Sequence, residues 1–159
     1  MSWYDWLLFL HILSAFALVA ALVLYTIVIV VGRRLDVPTD IVRVFRISRV
    51  GDVLLPVGMM GVLIFGIWLA IDVDEYQLWD GWIIAAFVLW LAAGAVGSRV
   101  GRIYDGVREQ ARALAAEGGD APSPELAAAL RSQSGLVLHV VTVAIVILLL
   151  LDMVYKPGA

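Results

Sequence analysis

Four ionisable side chains lie inside or at the rims of otherwise apolar runs: His11, Asp52, His139 and Asp152. A titratable group in hydrocarbon is costly and marks a functional site by default. An imidazole there can ligate a haem iron, relay a proton, or serve as a neutral hydrogen-bonding link between helices. The sequence has no cysteine, so thiolate metal sites and iron–sulfur clusters are excluded and the two histidines are the chief soft ligands. Met59, Met60 and Met153 are read as packing, because thioether copper sites need several converging sulfurs. Ser14, Ser98, Ser134 and Thr142 lack a base and an orienting acid together, so no hydrolase constellation is visible. The glycine-rich "AAGAVGSRVG" lies in or at the end of an apolar run rather than between a strand and a helix, so it is not a phosphate loop. No catalytic residue is assigned, and the chain reads as more suited to binding than to enzymatic turnover on its own.

What must position these groups follows from composition. Of 159 residues, 63% are hydrophobic and 16% charged, against roughly half and a quarter in soluble domains. Apolar segments at about 6–31, 53–71, 82–98 and 135–154 each approach the ~20 residues that cross a bilayer core. The first has no basic n-region and too long an apolar run for a signal peptide, so it is expected to stay in the mature protein. Lipid-exposed backbone must satisfy its own hydrogen bonds, and no alternating strands suggest a barrel. The expected fold is therefore all-α: a single domain over 1–159, built as a four-transmembrane-helix bundle.

Charge sets the expected orientation. Arg33, Arg34, Arg43, Arg46 and Arg49 follow the first segment; Arg99, Arg102, Arg108, Arg112 and Arg131 follow the third. The intervening "DVDEYQLWDG" carries Asp72, Asp74, Glu75 and Asp80 without a cation. The positive-inside rule then puts both arginine-rich connections in the cytoplasm and both termini outside, in a multi-pass protein of the cytoplasmic membrane. Trp3, Tyr4, Trp6, Tyr76, Trp79, Trp82 and Tyr155 fall at the level of the outer aromatic belt. The arginines are assigned to topology and anionic lipid rather than to nucleic acid.

Depth follows at ~1.5 Å of rise per residue. Counting from Trp6 or Trp3, His11 lies about 8 or 12 Å inside the outer boundary, and Asp152 about 5 Å inside it. Asp52 and His139 lie about 5 and 8 Å inside the opposite face. Two polar stations are expected, His11 with Asp152 and His139 with Asp52. The histidines differ in depth by about 12–16 Å, which disfavours one haem iron held by both.

Between the spans, "DVPTDIVRVFRISR" is expected to form a short amphipathic helix on the membrane surface, with Ile41, Val44, Phe45 and Ile47 inward. The third helix is expected to run past Gly101 and stop at Gly118-Gly119. Ser123, Pro124 and Glu125 read as N-cap, first helical position and dipole partner of a further helix running into the fourth span. Ala93, Gly97 and Gly101 form one small-residue ridge, and Gly58, Gly61 and Gly66 with Pro56 another face; both favour internal packing over a dimer seam. "LHILSA" and "LHVVTV" echo each other, as an inverted repeat or as coincidence in a restricted alphabet.

A first helix opening in "LLFLHILSA", four spans with arginine-rich inner loops, and a last helix closing in "DMVYKP" resemble a bacterial family of predicted four-helix integral membrane proteins of unknown function. That family is in turn distantly similar to the CopD-like and HemJ-like membrane proteins. The resemblance implies a bundle in which His11 binds b-type haem. HemJ-like oxidases also use an intramembrane lysine, whereas the sole lysine here is Lys156 at the chain's end, so the resemblance does not carry protoporphyrinogen oxidation. Three functions stand open: haem binding in a membrane redox or metal-handling system, with His11 and His139 the candidate ligands; proton or ion movement using the His/Asp stations; and an accessory subunit of a homo-oligomer or larger membrane complex.

Overall fold

The computed structural model describes residues 2–73, 76–118 and 121–157. Asp74, Glu75 and Gly119, named above, lie outside these residues. All regular elements described are helices: α1 (Trp3–Gly32), α2 (Pro38–Asp72), α3 (Gly81–Ala116), α4 (Pro124–Arg131) and α5 (Gln133–Tyr155). Four stretches are long and apolar enough to cross a membrane: Trp3–Gly32, Pro38–Asp72, Gly81–Ala116 and Pro124–Tyr155. At ~1.5 Å per residue, the 35 residues of α2 and 36 of α3 reach about 50 Å, beyond a hydrocarbon core of about 30 Å. Both helices therefore continue past the bilayer at the end that carries the arginines.

That extension corrects the expectation for the first connection. Residues 38–50 are not a separate surface helix but the opening turns of α2. Ile41 and Phe45 point into a core, whereas Ile47 is exposed and Val44 only partly buried. The arginines misled the reading: a helix crossing the headgroup layer into water carries cations on its outer face just as a helix lying on the membrane does. Pro56 sits within α2 without ending it. The other end signals hold. Ser123 caps α4 through its side chain, Pro124 opens that helix, and α3 ends at Glu117 before Gly118 in the left-handed region.

The helices form two antiparallel pairs. α1 packs along α2 and α5 along α3; α2 and α3 touch less, and α1 meets α5 over a short stretch only. Glycines set the first pairing. A Cβ on Gly58 would stand 2.6 Å from the Leu18 backbone nitrogen, and one on Gly61 2.7 Å from Ser14 Cβ, so only glycine lets the two backbones approach this closely.

The larger core lies at the arginine-rich end, where Val28, Ile29, Ile41, Phe45, Val100, Tyr104, Val107, Ala111, Leu126 and Leu130 unite all helices but α5, whose Leu136 and Leu138 pack against it. A smaller layer of Leu18, Leu22, Ala93 and Val146 fills mid-bundle. The fourth stretch is broken at Ser132, which ends α4 and starts α5. Arg33 donates to the carbonyls of Leu130 and Ser132 at 3.2 and 3.0 Å, while Arg131 donates to the Arg33 carbonyl at 3.2 Å. These reciprocal caps satisfy helix-end carbonyls of α1 and α4 that have no intrahelical donor. The lipid-facing surface is apolar, with residues such as Phe16, Val57, Val88 and Leu148 exposed.

Candidate functional site

His139 is buried at 4% exposure near the start of α5. Its Nε2 lies 2.8 Å from Thr26 Oγ1, and that hydroxyl lies 2.8 Å from the Leu22 carbonyl. Both contacts are satisfied when Thr26 donates to Leu22 and His139 donates its Nε2–H to Thr26. This bond crosses from α5 to α1 and ties the first and last helices together where they meet.

Asp52 stands beside the next residue of α1. Tyr25 Oη donates to Asp52 Oδ1 at 2.7 Å, and Arg108 of α3 pairs with Oδ2 at 3.1 Å. Arg108 also reaches Asp105 at 2.8 Å. The expected inner station is thus half met: Asp52 and His139 attach to adjacent residues of α1, at one level, but no hydrogen bond joins them. Tyr25, Thr26 and Arg108 are the partners that sequence reading missed. The "YT" inside the first apolar run was the available signal, since hydroxyls in a span need partners just as histidines do.

His11 occupies the other half of α1, in the part near the chain termini. Its ring edge rests on α2: a Cβ on Gly66 would lie 3.0 Å from Cε1 and 3.3 Å from Nδ1. The Val62 backbone carbonyl lies within reach of the ring as a hydrogen-bond acceptor, although Nδ1 makes no hydrogen bond of ordinary geometry. Because the Nδ1–Cε1 edge faces α2, the Nε2–Cδ2 edge faces away from it. Asp152, the partner expected from depth, belongs to the α3–α5 pair, and its Oδ2 is also buried without a partner. No hydrogen bond or ion pair joins the two among the described residues. His11 rests on α2, the helix that α1 packs against, rather than reaching across to α5.

The two histidines are far apart. His139 holds Thr26, which lies about 22 Å of helical rise along α1 from His11. One haem iron cannot take both, and among the described residues no group of three or more His, Asp or Glu side chains is placed to hold a metal ion. The His11 ring is set against Gly66, with its Nε2 on the edge turned away from α2. Asp52 and His139, by contrast, are committed to partners on neighbouring helices.

The comparisons with known proteins agree with this architecture without adding a site. No curated protein and no solved structure matches the chain. A family model described as a predicted integral membrane protein matches residues 5–157. With four stretches able to span a bilayer, and that match over nearly its whole length, the chain is a multi-pass integral membrane protein belonging to the predicted integral membrane protein family DUF2269.

Proposed function

We propose that this protein binds a single b-type haem through His11 and serves a membrane redox or metal-handling system of the bacterial cytoplasmic membrane. The observation that carries the reading is the posture of that imidazole: its Nδ1–Cε1 edge is seated on the α2 backbone at Gly66, which leaves Nε2 on the edge turned away from α2. Bound haem would supply one-electron redox chemistry. The chain supplies one axial nitrogen, a fixed ring plane and a water-poor surround, and its site near the terminal end keeps the propionates within reach of hydrated headgroups. A further ligand to the iron would come from water, from another residue of that half, or from a second copy of the chain.

Proton or ion movement between the two polar ends is the competing chemistry. It would have to cross the apolar layer of Leu18, Leu22, Ala93 and Val146, which would need to open. An accessory role needs neither a cofactor nor a path. Absorbance decides among them. Protein purified from haem-replete cells should show a Soret band with split reduced peaks; His11→Ala should abolish it, and His139→Ala should leave the axial-ligand signature unchanged. A colourless wild-type protein, or a His11→Ala protein that keeps the band, rejects haem binding at this site.

A further inference from the structure

At the arginine-rich end, α4 stops and α5 starts on one residue, Ser132, and the two helix ends that meet there are treated unequally. The carbonyls are served, because Arg33 donates to those of Leu130 and Ser132 at 3.2 and 3.0 Å. The first N–H groups of α5 are not. Such groups have no acceptor within their own helix, and Ser132 gives α5 no side-chain cap, its hydroxyl lying instead 2.8 Å from that of Ser134. That end of α5 therefore presents donors and the positive pole of the helix dipole.

Tyr104 of α3 is aimed at the same turn. It is 8% exposed, and its hydroxyl is buried without a hydrogen-bonding partner. A Cβ on Gly135, the third residue of α5, would stand 2.9 Å from that oxygen, so the phenol tip rests on the first turn because glycine leaves room for it. The elbow also gathers cations without a counter-charge. Arg33 holds the carbonyls on either side of Arg131, while Arg131 donates to the Arg33 carbonyl at 3.2 Å, which brings both side chains to one place. The Arg33 charge also acts on the Tyr104 phenol. Neither arginine forms an ion pair among the described residues, although Arg43 and Arg108 do. Helix donors, two guanidinium groups and a free phenol thus meet where the chain supplies no anion.

We propose that the α4–α5 elbow binds a phosphate group, carried by an anionic lipid or by a soluble phosphate, through the first-turn N–H groups of α5, the guanidinium groups of Arg33 and Arg131, and the Tyr104 hydroxyl. Hydrogen bonds from charged or dipole-aligned donors to a phosphate are the strong ones, and a guanidinium matches phosphate geometry. The level suits a lipid source. Ser134 lies 21 residues before Tyr155, or about 32 Å of helix, one hydrocarbon thickness from the other end of α5. Lipid phosphates lie just beyond that depth.

The test is isothermal titration of the full chain in dodecyl maltoside, a phosphate-free detergent, with sodium phosphate against sodium chloride and with dioctanoyl phosphatidylglycerol against dioctanoyl phosphatidylcholine. Folding of each variant is checked by size exclusion and helical circular dichroism. At least one phosphate ligand should bind saturably, and about tenfold or more tighter than its control. Tyr104→Phe removes an oxygen that has no partner in the fold, so it should leave the bundle intact yet weaken binding about tenfold, as should Arg131→Gln. Arg46→Gln, an equal loss of charge on the exposed face of α2, should change binding less than about twofold. Tighter binding of phosphatidylglycerol than of phosphate identifies the headgroup as occupant; the reverse identifies a soluble phosphate. Binding of neither, or binding that Arg46→Gln weakens as much as Tyr104→Phe does, overturns the proposal and leaves the arginines of the elbow as helix caps alone.

Discussion

Gly58→Ala is the sharpest test of how α1 and α2 are joined. A methyl at Gly58 would lie 2.6 Å from Leu18 N, 2.9 Å from its Cα and 3.0 Å from its Cβ. Two of these three atoms are backbone, so no rotamer change relieves the contact. Restoring ordinary separations of ~3.5 Å requires the helices to part by nearly ~1 Å, a gap that forfeits a quarter to a half of each facing contact. This is the most extensive interface of the bundle. The cost should fall at the upper part of the ~1–3 kcal/mol range for overpacking, or roughly 5–10 °C in melting temperature for a chain of this size. Gly101→Ala and Gly106→Ala are the matched controls: nothing lies within 4 Å of either position, and the added methyl should raise helix stability by ~0.5–1 kcal/mol. Thermal unfolding in dodecyl maltoside, read by fluorescence-detected size exclusion, should therefore shift in opposite directions. Gly61→Ala offers an internal cycle, because its clash is with the Ser14 side chain and Ser14→Gly should recover part of the loss. Leu18→Ala should not rescue Gly58→Ala. A Gly58→Ala protein melting within about a degree of wild type would refute the pairing.

Thr26→Val should cost about 0.6 kcal/mol, at most ~1.7, the measured span for interhelical hydrogen bonds in membranes, and it should do so only while His139 is present; a His139→Ala background that leaves the Thr26→Val loss intact would break the assigned bond. Asp52→Asn should cost less than ~1 kcal/mol and less still at high salt, because Asp52 and Arg108 are 41% and 21% exposed and such pairs are screened; a loss of several kcal/mol, insensitive to salt, would show that the clasp is far drier than described. A phosphatase fused after the C-terminus should be active in the periplasm, as the arginine distribution requires, and a fluorescent cytoplasmic reporter glowing at that position would invert the orientation.

The spans and caps were legible because their signals are local. Twenty apolar residues announce a crossing, and Ser123-Pro124-Glu125 announces a helix start. Lateral pairing was not legible, for a reason particular to membranes. In water, the apolar stripe of a helix points to the core; in lipid, Phe16 and Leu18 are both apolar although one is exposed and the other buried. The information lies instead in small residues. Gly58, Gly61 and Gly66 were recognised as a packing face, but nothing in the sequence says that they meet Leu18, Ser14 and His11. The same gap explains why His11, set at one depth with Asp152, turned out to rest on Gly66 of α2.

The echo between "LHILSA" and "LHVVTV" has a structural basis that the letters alone did not reveal. Ser14 donates to the Leu10 carbonyl at 2.7 Å and Thr142 to the Leu138 carbonyl at 2.9 Å, each one turn back. Each side chain also faces a glycine of the antiparallel partner, Gly61 for Ser14 and Gly97 for Thr142. A hydroxyl satisfied within its own helix can be buried without a donor or acceptor from the neighbour, so it serves as a small residue at a close crossing. The order of elements argues against tandem duplication of a helix pair, which would put the motif in the first and third spans rather than the first and last. The likeness is better explained by two crossings that solve one packing problem in one way. Against that common background the histidines differ. Thr26 gives His139 a side-chain partner on α1 and hence a part in holding the bundle closed, whereas His11 is set on Gly66 beside the Val62 backbone, with no side-chain partner on another helix among the described residues. Of two similar motifs, one is tied across the bundle by a side-chain hydrogen bond and the other rests on its neighbour by a close contact with glycine.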